Sequence, residues 1–297
     1  MASLVALATR EVYRRELLPA RARWWLAAAG MCDWFRVLAS KMRPHLGDRS
    51  RDVLATLGAR MLARRYEALR ALHPSLPDPS TDPRAPALVT AALYRLWATP
   101  KAGWILSALG GPPRAPAEHL RAQALVRGLS AQARWEEVTV HLGELLIVLT
   151  EDLPAHLPHS RKVLGDICFE MGARYGESMR RFLSLPEAGH HPEHALEILR
   201  MSEYVFRVNP EHWGASDAAA NTGYLEGTAC PWFMRPGWNQ AHCGIFGQFQ
   251  AGISSVFGLR YQLSRTIPKH GGETCRIDLK PIGLRRGKDG PPIVPPA

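Results

Sequence analysis

The chain has 297 residues, 46% of them hydrophobic and 22% charged, which excludes the disordered and fibrous classes. No apolar run approaches the ~20 residues of a membrane-spanning helix, and Arg10, Arg14, Arg15 and Glu16 break up any signal-peptide core, so a cytoplasmic location is expected. The net charge of +10 is concentrated in residues 1–130, with 20 Lys+Arg against 9 Asp+Glu; residues 131–297 hold 17 against 18.

Taken in chain order, residues 1–72 read as helix. Val53, Leu54, Leu57, Met61, Leu62 and Leu69 recur close to the 3.6-residue period. The prolines between His73 and Pro86 forbid regular helix. Ala87 to Leu109, Ala117 to Leu129 and Ala133 to Leu149 read as further helices, the last two parted near Ser130. Leu153 to His159 reads as loop. Ser160 is the expected N-cap of a helix over Val163 to Leu183. Gly165, Gly172 and Gly176 inside that helix cost about 1 kcal/mol each relative to Ala, which close packing would explain. His190 to Met201 is a short helix. Glu203 to Val208 alternates Tyr204, Phe206 and Val208 on one face and predicts a strand. Asn239 to Val256 is helix. Leu259 to Thr266 and Glu273 to Leu279 are two strands joined through a turn at Ile267 to Gly272. Arg285 to Ala297 reads as a flexible tail.

The fold class is therefore α+β: an all-helical region over residues 1–150, then a small α/β pocket domain with an antiparallel sheet over 151–284. The arginines of the first region are dispersed among Ala and Leu, with no helix-turn-helix, zinc-finger or aromatic RNA-binding pattern. Nucleic acid is not an expected partner. A solvated face, a docking face for an acidic partner or membrane surface, or a homo-oligomer contact fits that charge.

Chemistry concentrates between Cys230 and Leu279. Five cysteines scattered through the chain suit reduced thiols. Cys243 lies near a helix N-terminus, where free N–H groups favour a thiolate, so it is the nucleophile candidate; the alternative is a buried thiol packed as a small apolar group. His242 and Glu226 are the candidate proton carriers. Cys275 alternates with Ile277 and Leu279, facing either a pocket or the core. Cys230 precedes Pro231 in extended backbone and, with Trp232, forms a candidate pocket wall. Arg265 alternates with Leu263 and Tyr261; facing inward, it would pair with a substrate carboxylate, and facing outward it would be a solvated or salt-bridged strand arginine. The three thiols lack CxxC spacing, and His190 and His194, at i, i+4, are separated by Pro192. No metal and no cofactor are expected.

The ordered set Gly172 and Gly176, Tyr204–Val208, Cys230-Pro231-Trp232, Cys243 at a helix start, and Gly271-Gly272-Glu273-Thr274-Cys275-Arg276 resembles the L-2-amino-thiazoline-4-carboxylic acid hydrolase family. It also resembles related small-molecule-binding domains of the 4-vinyl-reductase type. The resemblance covers about 120 residues. It implies an enclosed pocket for a small organic molecule. In the hydrolase branch a cyclic amidine, thiazoline or lactam-like ring is opened by water. In the binding branch Trp232, Phe246, Phe249 and Tyr261 line an apolar cavity and no reaction follows. Ring formation or isomerisation in the same pocket is the third expectation. Gly244 to Gln248 stands where the hydrolases place an acidic residue, and Leu263 to Ile267 lacks the Glu and Cys of the zinc-bearing hairpins.

Overall fold

Pro19 divides the first helical stretch in two: α1 (Leu4–Arg14) and α2 (Ala20–Leu46), with Pro19 in extended backbone at the start of the second. The computed structural model describes residues 4–50, part of 52–67, and 129–187, 189–207, 211–228 and 230–282. The helices expected at Ala87–Leu109 and Ala117–Leu129, the proline-rich break and the tail lie outside the described residues.

Ser130 opens α3 (Ala131–Asp152), its side chain accepting the Ala133 N–H at 3.1 Å. Every residue from Val138 to Thr150 is buried, as befits a largely apolar helix at the centre of a fold, and its buried Glu144 is ion-paired with Arg64 at 2.8 Å. A short turn of 3₁₀ helix, Leu153–Ala155, leads to α4 (Ser160–Phe182). Ser160 is not the cap; it sits buried within the first turn, and His159 takes the capping position.

Pro192 begins α5 (Pro192–Phe206), which corrects the expected strand at Glu203–Val208. Tyr204 and Phe206 alternate locally, but Ala195, Ile198, Leu199, Ser202 and Val205 are all buried at three- and four-residue steps. That longer helical stripe decides the conformation. The helix stops at Arg207, which adopts the left-handed region with φ of 57°.

Strands β1 (His212–Asp217) and β2 (Thr222–Gly227) follow as a hairpin that sequence periodicity misses. Asp217 ties its turn by accepting the N–H groups of Ala219 and Ala220 at 2.9 and 3.0 Å. Helix α6 (Gln240–Ser255), strand β3 (Leu259–Arg265), the four-residue α7 (Ile267–His270) and strand β4 (Cys275–Pro281) complete the described chain. The sheet is antiparallel with order β1-β2-β4-β3. Helices followed by a small antiparallel sheet make the fold class α+β.

One sheet face packs on α5 and α6 through Leu225, Leu259, Ile277 and Leu279. Helices α4 and α6 lie in close contact. A Cβ on Gly172 would fall 1.9 Å from the Phe249 carbonyl oxygen, and one on Gly252 2.1 Å from that of Phe169. One turn on from Gly172, Gly176 meets Ile253. The glycine cost noted above is thus repaid by backbone-to-backbone approach. A second buried cluster joins both sides of residue 150: Met31, Trp34, Leu38 and Leu57 pack with Leu142, Leu146, Ile167, Trp232 and Ile245.

Candidate functional site

A cavity of about 360 Å³ opens between α2, α3, α4, α5 and α6. It lies within the range of small-molecule pockets, about 300–1,000 Å³. Its floor is Phe246 and Phe249, three residues apart on one face of α6, with ring centroids 6.0 Å apart and nearly parallel. Phe206, at the end of α5, meets Phe249 edge-on at 6.4 Å. Helix α2 contributes Met31, Trp34 and Val37, and α4 contributes Cys168, Met171 and Tyr175. Trp34 donates its indole N–H to Cys168 Sγ at 3.4 Å, and burial pushes that thiol up to about 12.

The polar groups of this cavity are few and placed at its edges. Tyr13 and Tyr175 both have phenol pKa values raised by burial, so both are hydrogen-bond donors at neutral pH. Asp33, Arg36 and Arg174 stand at the rim, Arg36 Nη2 lying 3.3 Å from Asp33 Oδ1. Lys41 of α2 and Glu170 of α4 form an ion pair at 2.6 Å, and Glu170 also holds Arg174.

The residues singled out from sequence separate into several places. Phe246 and Phe249 are in the cavity wall. Trp232 is 1% exposed and part of the core: its Nε1–H donates to the Thr139 carbonyl at 2.7 Å, and its ring crosses Phe246 at 4.7 Å. His242 is buried inside the capping box of α6. The Thr150 hydroxyl donates to the Leu146 carbonyl at 2.6 Å, so it receives the proton of His242 Nε2. That tautomer leaves His242 Nδ1 to accept the Asn239 N–H at 3.0 Å. Both ring nitrogens are therefore committed to holding the helix start.

Cys230, Cys243, Cys275 and Tyr261 gather near one another between α6 and the sheet. Each thiol is pushed up first by burial: Cys230 to about 12 and Cys243 to about 11, with Cys275 raised as well. Cys275 also raises both of the others, and Cys243 raises Cys230. At Cys243 burial outweighs the lowering effects of the Trp238 indole N–H and of the residue's own backbone N–H. Tyr261 donates to Gln250 Oε1 at 2.7 Å, and Gln250 in turn donates to the buried Glu203 at 2.6 Å.

Glu226 and Arg265 lie on the opposite face of the sheet, where Arg265 is a salt-bridged strand arginine and not an inward-facing anchor for a substrate carboxylate. A bulge between Leu263 and Arg265 shifts the register, so Leu263 faces Ile277 while Arg265 stands opposite Arg276. Arg276 is opposite Glu226 on the next strand. Glu226 accordingly pairs with Arg265, accepts from Thr274 at 2.7 Å and stands 3.5 Å from Arg276.

Sequence reasoning missed the contribution of α2 and α4 to the cavity. The aromatic and Met content of Trp24 to Met42 was the available signal. Compared with protein-family models, curated proteins and solved structures, the chain matches none.

Proposed function

We propose that this chain is a small-molecule-binding protein whose ligand is an apolar, ring-containing compound held in the cavity over Phe246 and Phe249. The observation that carries the reading is the cavity itself: aromatic, Met and aliphatic side chains from α1 to α6 line it, with two phenol donors and a charged rim for orientation. Arg36 and Arg174 stand at that rim already paired with Asp33 and Glu170, so a polar end of the ligand, anionic only if it displaces one of those carboxylates, is held there. The reading keeps the binding branch of the family resemblance and moves the pocket toward the N-terminal helices. Burial that pushes the Cys243 thiol up to about 11 disfavours it as a thiolate nucleophile, which removes the support for the thiol route of the hydrolase branch.

The test is binding of 1-anilinonaphthalene-8-sulfonate, an anionic aromatic probe, to the native full chain, followed by fluorescence and native mass spectrometry. The expected result is one probe per chain and at least tenfold weaker binding in Val205→Trp and in Met171→Trp, each retaining a cooperative melt. Unchanged binding in both variants overturns the assignment of the cavity. Rapid turnover of cyclic amidines that is lost in Cys243→Ser overturns the non-catalytic reading.

A further inference from the structure

His191, Glu193 and His194 converge at the start of α5. The sequence spacing paired His190 with His194 across Pro192. Pro192 opens the helix, and His191 at its cap comes to His194 instead. His191 Nδ1 and His194 Nε2 each stand 3.6 Å from one and the same oxygen, Glu193 Oε1. The two rings are 5.6 Å apart, tilted by 40°.

A separation of 3.6 Å exceeds the reach of an N–H···O hydrogen bond, about 3.2 Å. It is close to the spacing of donors around a tetrahedral cation. Zn²⁺ bonds of about 2.0–2.2 Å to His nitrogen and carboxylate oxygen put neighbouring donors about 3.4 Å apart. We propose that His191, Glu193 and His194 form a binding site for a Zn²⁺-type divalent cation, independent of the cavity.

Two imidazoles and one carboxylate match the borderline donors Zn²⁺ takes, and exclude the all-oxygen shells of Ca²⁺ and Mg²⁺. The far side of His194 completes the design. Its Nδ1 faces Glu197 Oε2 at 4.0 Å, and Arg10 of α1 grips Glu197 with both arms of its guanidinium, at 2.5 and 2.6 Å. At 4.0 Å that carboxylate lies beyond direct hydrogen-bond reach and acts as a negative charge behind the imidazole, which favours a cation on the opposite ring nitrogen. The helix start carries roughly half a positive charge against a cation. The two carboxylates, less the charge of Arg10, outweigh it. The His191 and His194 side chains are mostly buried, whereas that of Glu193 is 45% exposed, so the fourth position opens to solvent and water takes it. Bound metal would link the α5 start, through Glu197 and Arg10, to α1.

The experiment is titration of the full native chain with Co²⁺, read by visible absorption, and with Zn²⁺, read by calorimetry. The expected result is one equivalent bound, with the weak visible bands of nitrogen- and oxygen-bound Co²⁺ and no near-ultraviolet thiolate charge-transfer band. Affinity falls at least tenfold in His194→Ala, His191→Ala and Glu193→Gln, and is retained in His190→Ala. Circular dichroism of each variant matches the parent, which separates lost ligands from lost folding. Binding unchanged in the His191 and His194 variants overturns the proposal. So does a strong thiolate band, which would move the cation to the cysteines, and so does failure of the parent to take up either metal.

Discussion

The indole of Trp232 lies against the backbone of Gly143: a Cβ added at Gly143 would come 2.3 Å from Trp232 Cδ1. Trp232 cannot step aside, because its N–H is committed to Thr139 and its ring is enclosed by Phe246 and Trp238. Gly143→Ala therefore overpacks the contact between α3 and the Cys230–Trp238 segment. The expected cost is about 1–3 kcal/mol or more. Urea denaturation read by tryptophan fluorescence measures it, and an unchanged midpoint would show that the contact gives way freely.

Gly172→Ala acts on the helix pair beneath the cavity. Its new methyl group meets the Phe249 backbone, which has no rotamer to move. The α4–α6 distance must increase, and Phe249 shifts with it. Stability is expected to fall by more than about 2 kcal/mol, with probe affinity in the cavity falling as well. Gly244→Ala is the control: nothing lies within 4 Å of its Cβ position, and a change from Gly to Ala in a helix is expected to stabilise by up to about 1 kcal/mol.

His242 gives stability a dependence on pH. Burial lowers its pKa below the ordinary 6.5, and its capping bond requires a bare Nδ1. The unfolded chain therefore takes up the proton first as pH falls. The contribution of the cap is complete above about 6.5 and is lost as pH drops toward the depressed folded value. Thermal melts between pH 8 and 5 should show a downward slope that is reduced in His242→Asn. It should not vanish, because His194 is shifted the same way, again first by burial.

Native thiol labelling should be slow. Cys230, Cys243 and Cys168 are all pushed to about 11 or 12. Iodoacetamide at pH 7.5 is expected to modify them many-fold more slowly than the same chain in urea, read by peptide mass spectrometry. Fast native labelling of Cys243 alone would restore the nucleophile.

Glu226→Gln tests the outer sheet face. Its carboxylate stands between two arginines, but both guanidiniums are more than a third exposed, so solvent screens the pairs. The expected loss is no more than about 1 kcal/mol, with probe binding unchanged. A large fall in probe affinity would connect this face to the cavity.

Much of the helical layout was legible because it follows from local rules. Ser130 and Asn239 cap where their side chains can accept the next free N–H groups, and the periodic stripe of α6 is intact in the sequence. The β1–β2 hairpin was not legible. His212 to Asp217 is an edge strand with little buried on either face, so no apolar alternation marks it. Its Gly214 is required by the Tyr224 carbonyl, 2.3 Å from where a Cβ would sit, and that partner is ten residues away. The site divided in the same way. Phe246 and Phe249 were found from one helix face, whereas Met31, Trp34 and Met171 belong to the cavity only through tertiary packing. The face taken by Arg265 stayed open in the sequence because a bulge is one extra residue that alternation cannot register.

The walls of the cavity come from residues as far apart as Tyr13 and Phe249. During synthesis the first helices leave the ribosome long before their floor exists. Met31, Trp34 and Val37 must then wait as an exposed apolar face until some two hundred residues more have been added. The enclosure is complete only once α6 has been made, so a compound that fills it would favour the assembled state of the whole chain.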